Sequence, residues 1–596
     1  MNTTASNPGV WSRSVALALG VGLSLSLIAM VREFWLLLFA KLAGGFLLTL
    51  LWVLVSAIFR RGFRWFFSRR ALRFHGCAIA GVVSLIVLFY VEEGWRSKRA
   101  WAALQRELAA RGGKLDLAFV TPPPVPDDLN LAMAPVMARL LNYETNSSGE
   151  VRMGSGRSAD APSLGRLHAS GRTLKLPEAT WARQEFTDLA AWQTYFRLPY
   201  ETSRWSVKSN RFVTKPAEPQ FPVAAEAQTP ARDVLLALSK FHSLLDELAR
   251  AAAERPRARY PHAYELGYFG ESSVHRTLKD VVRVLRLRAV ARLHEGQVAA
   301  AFADVELALR LADSPREEPW LLSHIVLRHP MLTDALQPVW EGLARHQWTE
   351  PQLAALQRRL GGLDLLAEQS VALRGETAIS MDLLRQFRQL ATGRVNRLHP
   401  FRGEPPNAAE RFWVFVVRRF YPLGWLYEDE VLTCRILRPF DTVAGSDERP
   451  QESYLSTIMD PFFVTFLVPK LEMDRERTMH DFPRLQTLVN QAVVGCALER
   501  YRLAHGEFPE NLELLAPRFL SGVPRDVASG QPFRYRRTGD GRFVLYAIGS
   551  DGVDDGGRPA KVEFDWQGSL GGRSGPGDWV WSYPAPARRA SEMEPR

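Results

Sequence analysis

Residues 74–91 have the sequence FHGCAIAGVVSLIVLFYV, and the chain continues directly into the polar stretch EEGWRSKRAWAALQRELAAR at 92–111. An α-helix rises about 1.5 Å per residue, so roughly 20 apolar residues cross the hydrocarbon core of a bilayer. The run at 74–91 lies near the lower limit of that length. The change from apolar to charged residues at Glu92 predicts a helix that leaves a membrane at this point.

Two further apolar runs precede this one, at 14–31 and 34–59. The second is long enough to cross a bilayer with some tilt. A cleaved signal peptide is the alternative for the first run, but no small-x-small cleavage site follows it. Lys41 lies near one end of the second run, where its stem carries the ammonium group to the interface. We therefore predict a membrane anchor of three transmembrane helices over 1–94, with the lipid bilayer as a partner.

The basic residues predict the orientation of this anchor. The formal net charge is +11, and most of it comes from residues 1–76, where nine Lys and Arg accompany a single Glu. The short loop RRGFRWFFSRR at 60–70 should stay in the cytoplasm. The N-terminus is then cytoplasmic and residues beyond about 95 are outside, which in a two-membrane bacterium means an inner-membrane protein with a large periplasmic part. Little excess charge remains for a nucleic-acid surface, so no nucleic-acid partner is expected.

The soluble part is predicted to be mainly α-helical. Residues 95–230 combine a polar juxtamembrane helix, a stiff proline-rich spacer, TPPPVPDD, and a flexible Ser- and Gly-rich region at 142–172. Helical stripes of apolar residues dominate 231–475, which predicts a large extracytoplasmic helical domain. Apolar stretches at 412–420 and 462–468 are too short to cross a bilayer. They are either core or a surface that rests on the membrane.

Two of these stripes flank Gly296, and the pair resembles a single tetratricopeptide-like hairpin. Small side chains at Ala301 and Ala308 would let its two helices approach closely. Repeats of that family are stable only when several copies stack, and no regular second copy is present. An ordinary antiparallel helical pair is the alternative.

Residues 480–596 form a predicted α+β module. An amphipathic helix ends at HGEFP (505–509), and the alternating strands PFRYR and RFVLY flank the turn TGDG at 538–541. Together with the loop GSDGVDDGG (549–557), this pattern resembles the C-terminal part of the type II secretion major pseudopilin over about 485–560. The resemblance implies a helix packed on an antiparallel hairpin. It does not extend to filament assembly, because this module follows a multi-pass anchor, as it does in other large bacterial membrane proteins of uncharacterised function.

The resemblance also implies one cofactor. Pseudopilins of this type bind calcium near their C-terminus, and Asp551, Asp554 and Asp555 are the matching oxygen ligands here. Their spacing is not that of an EF-hand. Because Asp and Gly also favour turns, a solvated turn without calcium is the alternative.

Motifs for catalysis are missing from the sequence. His294 and Glu295 begin like a zinc-protease motif, but Gln297 and Val298 supply no second histidine, and no nucleophile elbow, phosphate loop or dinucleotide fingerprint occurs. His505 is expected to lie at a helix C-terminus, where its charge suits the dipole. The remaining single candidates are scattered among helices and include two cysteines whose pairing the sequence leaves open: His262, His275, His324, His329, Cys434 and Cys496.

The sequence thus favours a membrane-anchored scaffold or protein-interaction protein of the cell envelope, with a protein partner and no enzymatic activity. Its basis is the helical hairpin and the pseudopilin-like end. The alternative is an extracytoplasmic hydrolase whose site is assembled from residues distant in sequence.

Overall fold

The structure is a computed structural model. It describes residues 69–111, 116–145, 149–153, 168–169, 172–173, 179–198, 201–206, 211–216, 221–264, 275–321, 323–394, 411–412, 414–415, 418–419, 423–437, 468–527, 529–549, 551–560 and 575–583. The predicted spans at 14–31 and 34–59 lie outside these residues. The described part is mainly helical with small antiparallel sheets, as the sequence predicts. It divides into two compact units, of which the first comprises Met1–Gly112, Leu384–Leu437 and Ser446–Met473.

Helix α1, Arg69–Ala110, is the main element of the first unit. It has 42 residues and a length of about 63 Å. Within the part of the chain that the structure describes, it is the one helix long and apolar enough to cross a membrane, judged by length and composition alone. Its first half contains the predicted span and exposes large apolar side chains, among them Phe74, Ile79, Val83, Leu85, Ile86, Val87, Leu88 and Val91. The predicted juxtamembrane helix is the continuation of this helix, since Gly94 does not break it.

The second half of α1 packs against a helix from later in the chain, which we number α12 and which spans Leu423–Leu437. Gly424 is required at the closest approach, because a Cβ there would lie 2.9 Å from the backbone of Glu93. Arg96 lies about one turn after Glu93 on α1, and Glu428 lies one turn after Gly424 on α12. Arg96 forms ion pairs with Glu93 at 2.7 Å and with Glu428 at 3.3 Å. The contact therefore begins just after the apolar half of α1 and continues along its polar half.

The end of a third helix, α11 (Leu365–Ala391), belongs to the same unit from Leu384 onward. Arg388 places Nη1 3.0 Å from Glu430 Oε1, and its guanidinium lies 4.8 Å from the ring centre of Tyr427. Burial raises the pKa of Glu430 to about 7, although Arg388 and Arg385 lower it. Helix α12 is thus held by α1 and by the end of α11.

The second unit comprises Gly113–Leu383, Arg438–Gly445 and Asp474–Arg596. A π-helix spans Ser323–Arg328, and the α-helix that follows it begins at His329. The helices are α2 (Leu117–Val120), α3 (Pro135–Leu140), α4 (Leu189–Arg197), α5 (Pro230–Leu238), α6 (His242–Glu254), α7 (His275–His294), α8 (Val298–Asp313), α9 (His329–Ala344), α10 (Glu350–Gly361), most of α11, and α13 (Val468–His505) from Asp474 onward.

Short antiparallel strands accompany these helices. Pairs form between β1 and β2, β3 and β4, and β5 and β6, while β7, β8 and β9 form a three-stranded sheet in that order. The strands are β1 (Tyr143–Thr145), β2 (Val151–Met153), β3 (His168–Ala169), β4 (Arg172–Thr173), β5 (Glu201–Ser206), β6 (Arg211–Pro216), β7 (Arg534–Arg537), β8 (Phe543–Ala547) and β9 (Trp579–Ser582).

The predicted hairpin of the C-terminal module is present as β7 and β8, with Arg534 opposite Tyr546. The third strand, β9, was not predicted. It pairs antiparallel with β8, and Trp581 lies opposite Leu545. Its four residues, WVWS, are too few to give a periodicity, and their partner strand is distant in sequence.

One apolar core runs through the second unit from Leu131 to Trp581. It joins the predicted helical domain and the C-terminal module, because the rings of Trp181 and Trp581 lie 5.1 Å apart and Trp340 Nε1 donates a hydrogen bond of 3.1 Å to the Ser582 carbonyl. The hairpin that resembles a tetratricopeptide unit is α7 and α8, which turn at Gly296 with φ +71° and pack against α9. Each compact unit is therefore assembled from segments that are separate in the sequence.

Gly375, which lies within α11, gives a test of this packing. A Cβ on Gly375 would overlap the carbonyl oxygen of Pro319, which is backbone and cannot rotate away. We expect Gly375→Ala to destabilise the protein by about 1–3 kcal/mol through overpacking, measured as a lower urea midpoint. Gly361→Ala is the matched control, because no atom lies within 4 Å of a Cβ at Gly361. Equal midpoints for the two variants would contradict the close approach.

Candidate functional site

The predicted calcium ligands lie in the loop that follows β8. Asp551 Oδ1 accepts a hydrogen bond of 3.1 Å from the Val553 amide, and its Oδ2 accepts one of 3.1 Å from the Gly577 amide. Asp554 Oδ1 accepts a bond of 3.0 Å from the Gly556 amide, and Arg534 Nε lies 2.9 Å from its Oδ2. These are the bonds by which aspartates fix turns.

Asp578, which the sequence reasoning missed, lies at the same loop. It is 1% exposed, its Oδ2 accepts a bond of 2.7 Å from the Gly557 amide, and its Oδ1 is buried without a hydrogen-bond partner among the described atoms. Burial raises its pKa, the charges of Asp554 and Asp555 raise it further, and backbone hydrogen bonds lower it. No local pattern announces this residue, since its neighbours in sequence are not acidic.

Two of the three predicted calcium ligands, Asp551 and Asp554, already form hydrogen bonds within the loop. Among the described residues, no group of three or more His, Cys, Asp or Glu side chains is arranged to hold a metal ion. Asp554 would first have to release Arg534. Calcium at Asp551, Asp554 and Asp555 therefore stays a prediction drawn from the pseudopilin resemblance. Among the described side chains of the loop, Asp578 Oδ1 is a buried oxygen that has no hydrogen-bond partner.

The second candidate is the interior around the π-helix, a rare element that often marks functional sites. It carries the side chain of Arg328 into the core, where the residue is fully buried. Its Nε and Nη2 donate to the two carboxylate oxygens of Glu368 at 2.6 and 2.8 Å. Its Nη1 donates to Asp313 Oδ1 at 2.8 Å and to the Ala312 carbonyl at 2.6 Å. Arg359 forms a further ion pair with Asp313.

Glu318 and its neighbours bring together polar side chains from two separate parts of the chain, 262–264 and 318–324, and we call this group the Glu318 cluster. Tyr264 donates a hydrogen bond to its carboxylate, with oxygen distances of 2.9 and 3.0 Å, and His262 Nε2 lies 3.8 Å from its Oε2. His324 Nε2 donates to its backbone carbonyl at 3.0 Å. Trp320 stacks on Tyr264 with ring centres 5.0 Å apart. A carboxylate, an imidazole and a phenol thus meet at Glu318, and a second imidazole binds its backbone carbonyl.

The chemistry open to the Glu318 cluster is limited by its surroundings. Glu318, Tyr264 and His324 are all buried. Burial, together with the charge of Arg328, lowers the pKa of His324 to about 4, so the imidazole is neutral at pH 7. The nearby Ser314 hydroxyl donates to the Leu311 carbonyl at 2.7 Å, which directs its proton into a helix end. As described, the cluster holds two chain segments together and does not present a nucleophile to a base.

The other single candidates lie apart from one another. His505 is at the end of α13, where its Nδ1 donates to the Tyr501 carbonyl at 2.9 Å. Glu295 pairs with Arg232 at 2.8 Å, and burial lowers the pKa of His294 to about 4. His275 is the first residue of α7, and His329 is the first residue of α9 and lies beside Phe482. Cys434 and Cys496 are free cysteines, and burial raises the pKa of each thiol to about 12.

Comparison with known proteins gives no match for this chain. No protein-family model, no curated protein and no solved structure matches it significantly. The resemblance of residues 485–560 to the pseudopilin C-terminal part accordingly stays a prediction.

The calcium prediction is tested on the full-length protein in detergent. If Asp551, Asp554 and Asp555 bind the ion, their mutual repulsion is offset only in the folded state. At calcium a hundredfold above its dissociation constant the gain would be roughly 2.7 kcal/mol, seen as a rise in melting temperature that a chelator reverses.

Asp555→Ala should abolish that rise, whereas Asp540→Ala, which removes an exposed carboxylate from the β7–β8 turn, should keep it. A melting temperature that is indifferent to millimolar calcium would mean that the loop is only a turn.

Proposed function

We propose that this protein is a membrane-anchored scaffold of the cell envelope whose second compact unit binds protein partners. The observation that carries the proposal is that buried charges of the second unit pair with one another between helices. The guanidinium of Arg328 forms ion pairs with Glu368 and Asp313, and these pairs join α8, the π-helix and α11. Asp313 extends this bracing to α10 through Arg359. Buried charges that are paired between helices favour a rigid scaffold over a catalytic site.

The membrane part of the proposal combines the sequence with α1. Spans at 14–31, 34–59 and 74–91 would place the N-terminus and the basic loop in the cytoplasm and the second unit in the periplasm. The exposed apolar half of α1 supports the third span. Because α1 continues without a break into the half that packs against α12, its polar part is fixed in direction as it leaves the bilayer.

The second candidate function is an extracytoplasmic hydrolase, favoured by the Glu318 cluster alone. Its residues come from distant sequence positions and include two histidines and a carboxylate. The carboxylate is already engaged by Tyr264, which weakens it as a base.

The orientation is tested with a reporter that folds only outside the cytoplasm. Alkaline phosphatase fused after Pro126 should be active, and the same enzyme fused after Arg70 should be inactive, because the short basic loop is retained inside. Immunoblots must show equal amounts of the two fusions. The reverse pattern of activity would contradict the orientation.

Purification of the intact protein from native membranes distinguishes the scaffold hypothesis from the hydrolase hypothesis. We expect it to copurify with a partner in fixed ratio, and we expect Glu318→Gln to retain that partner, because the amide oxygen still accepts the Tyr264 hydrogen bond. An isolated monomer that hydrolyses envelope substrates, and loses this activity in Glu318→Gln while its melting temperature is unchanged, would overturn the scaffold in favour of the hydrolase.

A further inference from the structure

A short helical segment in the first unit exposes aromatic and basic side chains together. Residues 411–412, 414–415 and 418–419 are helical. Phe412 and Phe415 are 64% and 59% exposed. At 3.6 residues per turn the exposed residues of this segment fall on about one third of the helix circumference. We call this surface the Arg–Phe face, and it consists of Arg411, Phe412, Phe415, Arg418 and Arg419.

The exposure decides between the two alternatives that the sequence leaves for this stretch. A core segment would bury Phe412 and Phe415, and here both rings are open to solvent. Two exposed aromatic rings one turn apart, beside arginines, are typical of helices that lie in the plane of a membrane interface. The described residues of the segment include three arginines and no acid, so the face complements a negatively charged surface.

The chain places the Arg–Phe face close to the level at which α1 ends its apolar half. Gly424 touches the backbone of Glu93 and Gly94, which directly follow that half. Arg419 and Gly424 are five positions apart in the sequence, and five extended residues span at most about 18 Å. Trp95, at the same level of α1, is 62% exposed, and the guanidinium of Arg99 lies 5.4 Å from its ring centre. Tryptophan is enriched at membrane–water interfaces.

The segment is also attached to the rest of the first unit. Arg418 Nε donates a hydrogen bond of 3.2 Å to the Leu390 carbonyl in the last turn of α11. That end of α11 is joined to α12 through Arg388 and Glu430. The Arg–Phe face therefore belongs to the same packed group of helices as α1.

We infer that the Arg–Phe face binds the bilayer surface next to α1 and recognises anionic phospholipids. Arg411 and Arg419 contact the phosphate headgroups, while Phe412 and Phe415 enter the boundary between headgroups and acyl chains. The inference rests on the proposed membrane anchor and adds the class of lipid that the anchored protein recognises. Such a contact would fix the first unit against the membrane at a second point besides α1.

The test uses the full-length protein with Cys77→Ala, so that Cys434 and Cys496, both buried, are the remaining cysteines. An environment-sensitive fluorophore is then attached to the thiol that Phe415→Cys introduces. The labelled protein is reconstituted into vesicles of phosphatidylcholine, alone or mixed with phosphatidylglycerol, that contain lipids bearing a spin-label quencher near the headgroup. We expect at least about twofold stronger quenching in the anionic vesicles, because the arginines draw the helix to the surface.

The double variant Arg411→Gln/Arg419→Gln should lose this preference for anionic vesicles. Arg418 is left in place because it bonds to Leu390. The matched control, Arg316→Gln/Arg358→Gln, removes the same charge from exposed positions of the second unit and should keep the preference.

The contrary outcomes are distinguishable. Equal quenching in both kinds of vesicle would overturn the recognition of anionic lipid. A protein that floats with the vesicles but is unquenched in both would overturn the face and leave the anchor standing. A protein that fails to float would contradict the anchor and the face together.

Discussion

The second unit depends on the neutralisation of one fully buried guanidinium. Arg328 would cost several kcal/mol in the interior without partners, and removing one partner of a buried pair typically costs about 3–5 kcal/mol. Glu368 satisfies two of its nitrogens, and Asp313 with the Ala312 carbonyl satisfies the third. Since these partners lie on different helices, the charge is paired only when α8, the π-helix and α11 are in their observed arrangement.

The same principle recurs in the hairpin of α7 and α8. Asp304 is buried and is held by Arg288 at 2.6 Å and by Arg292 at 2.8 Å. A carboxylate on one helix is thus fixed by two arginines on the other, in addition to the apolar contacts of the pair. Interior charges of this unit set which helices can be neighbours, whereas the apolar core supplies most of the free energy of burial.

Under the proposed anchoring, the first unit would meet a membrane in two ways. The apolar half of α1 exposes the side chains expected to contact hydrocarbon, and the Arg–Phe face offers aromatic and cationic groups suited to headgroups. Both are connected through α12, which approaches α1 closely at Gly424 and is paired with α11 at Glu430. A first unit attached at two points would keep a defined orientation on the membrane, which a single flexible tether would not provide.

The sequence by itself determined the features that depend on local pattern. The apolar run at 74–91, the helical stripes with the turn at Gly296, and the hairpin of β7 and β8 all follow from periodicity and turn residues, and each is present. Only the tertiary structure decided the pairings between distant residues. Asp578 joins the acidic loop, β9 joins β8, and Glu318 meets Tyr264, and no spacing in the sequence indicates these contacts. The physical reason is that local propensity acts over a few residues, whereas a buried charge or strand edge is satisfied by whichever group the packed chain brings to it.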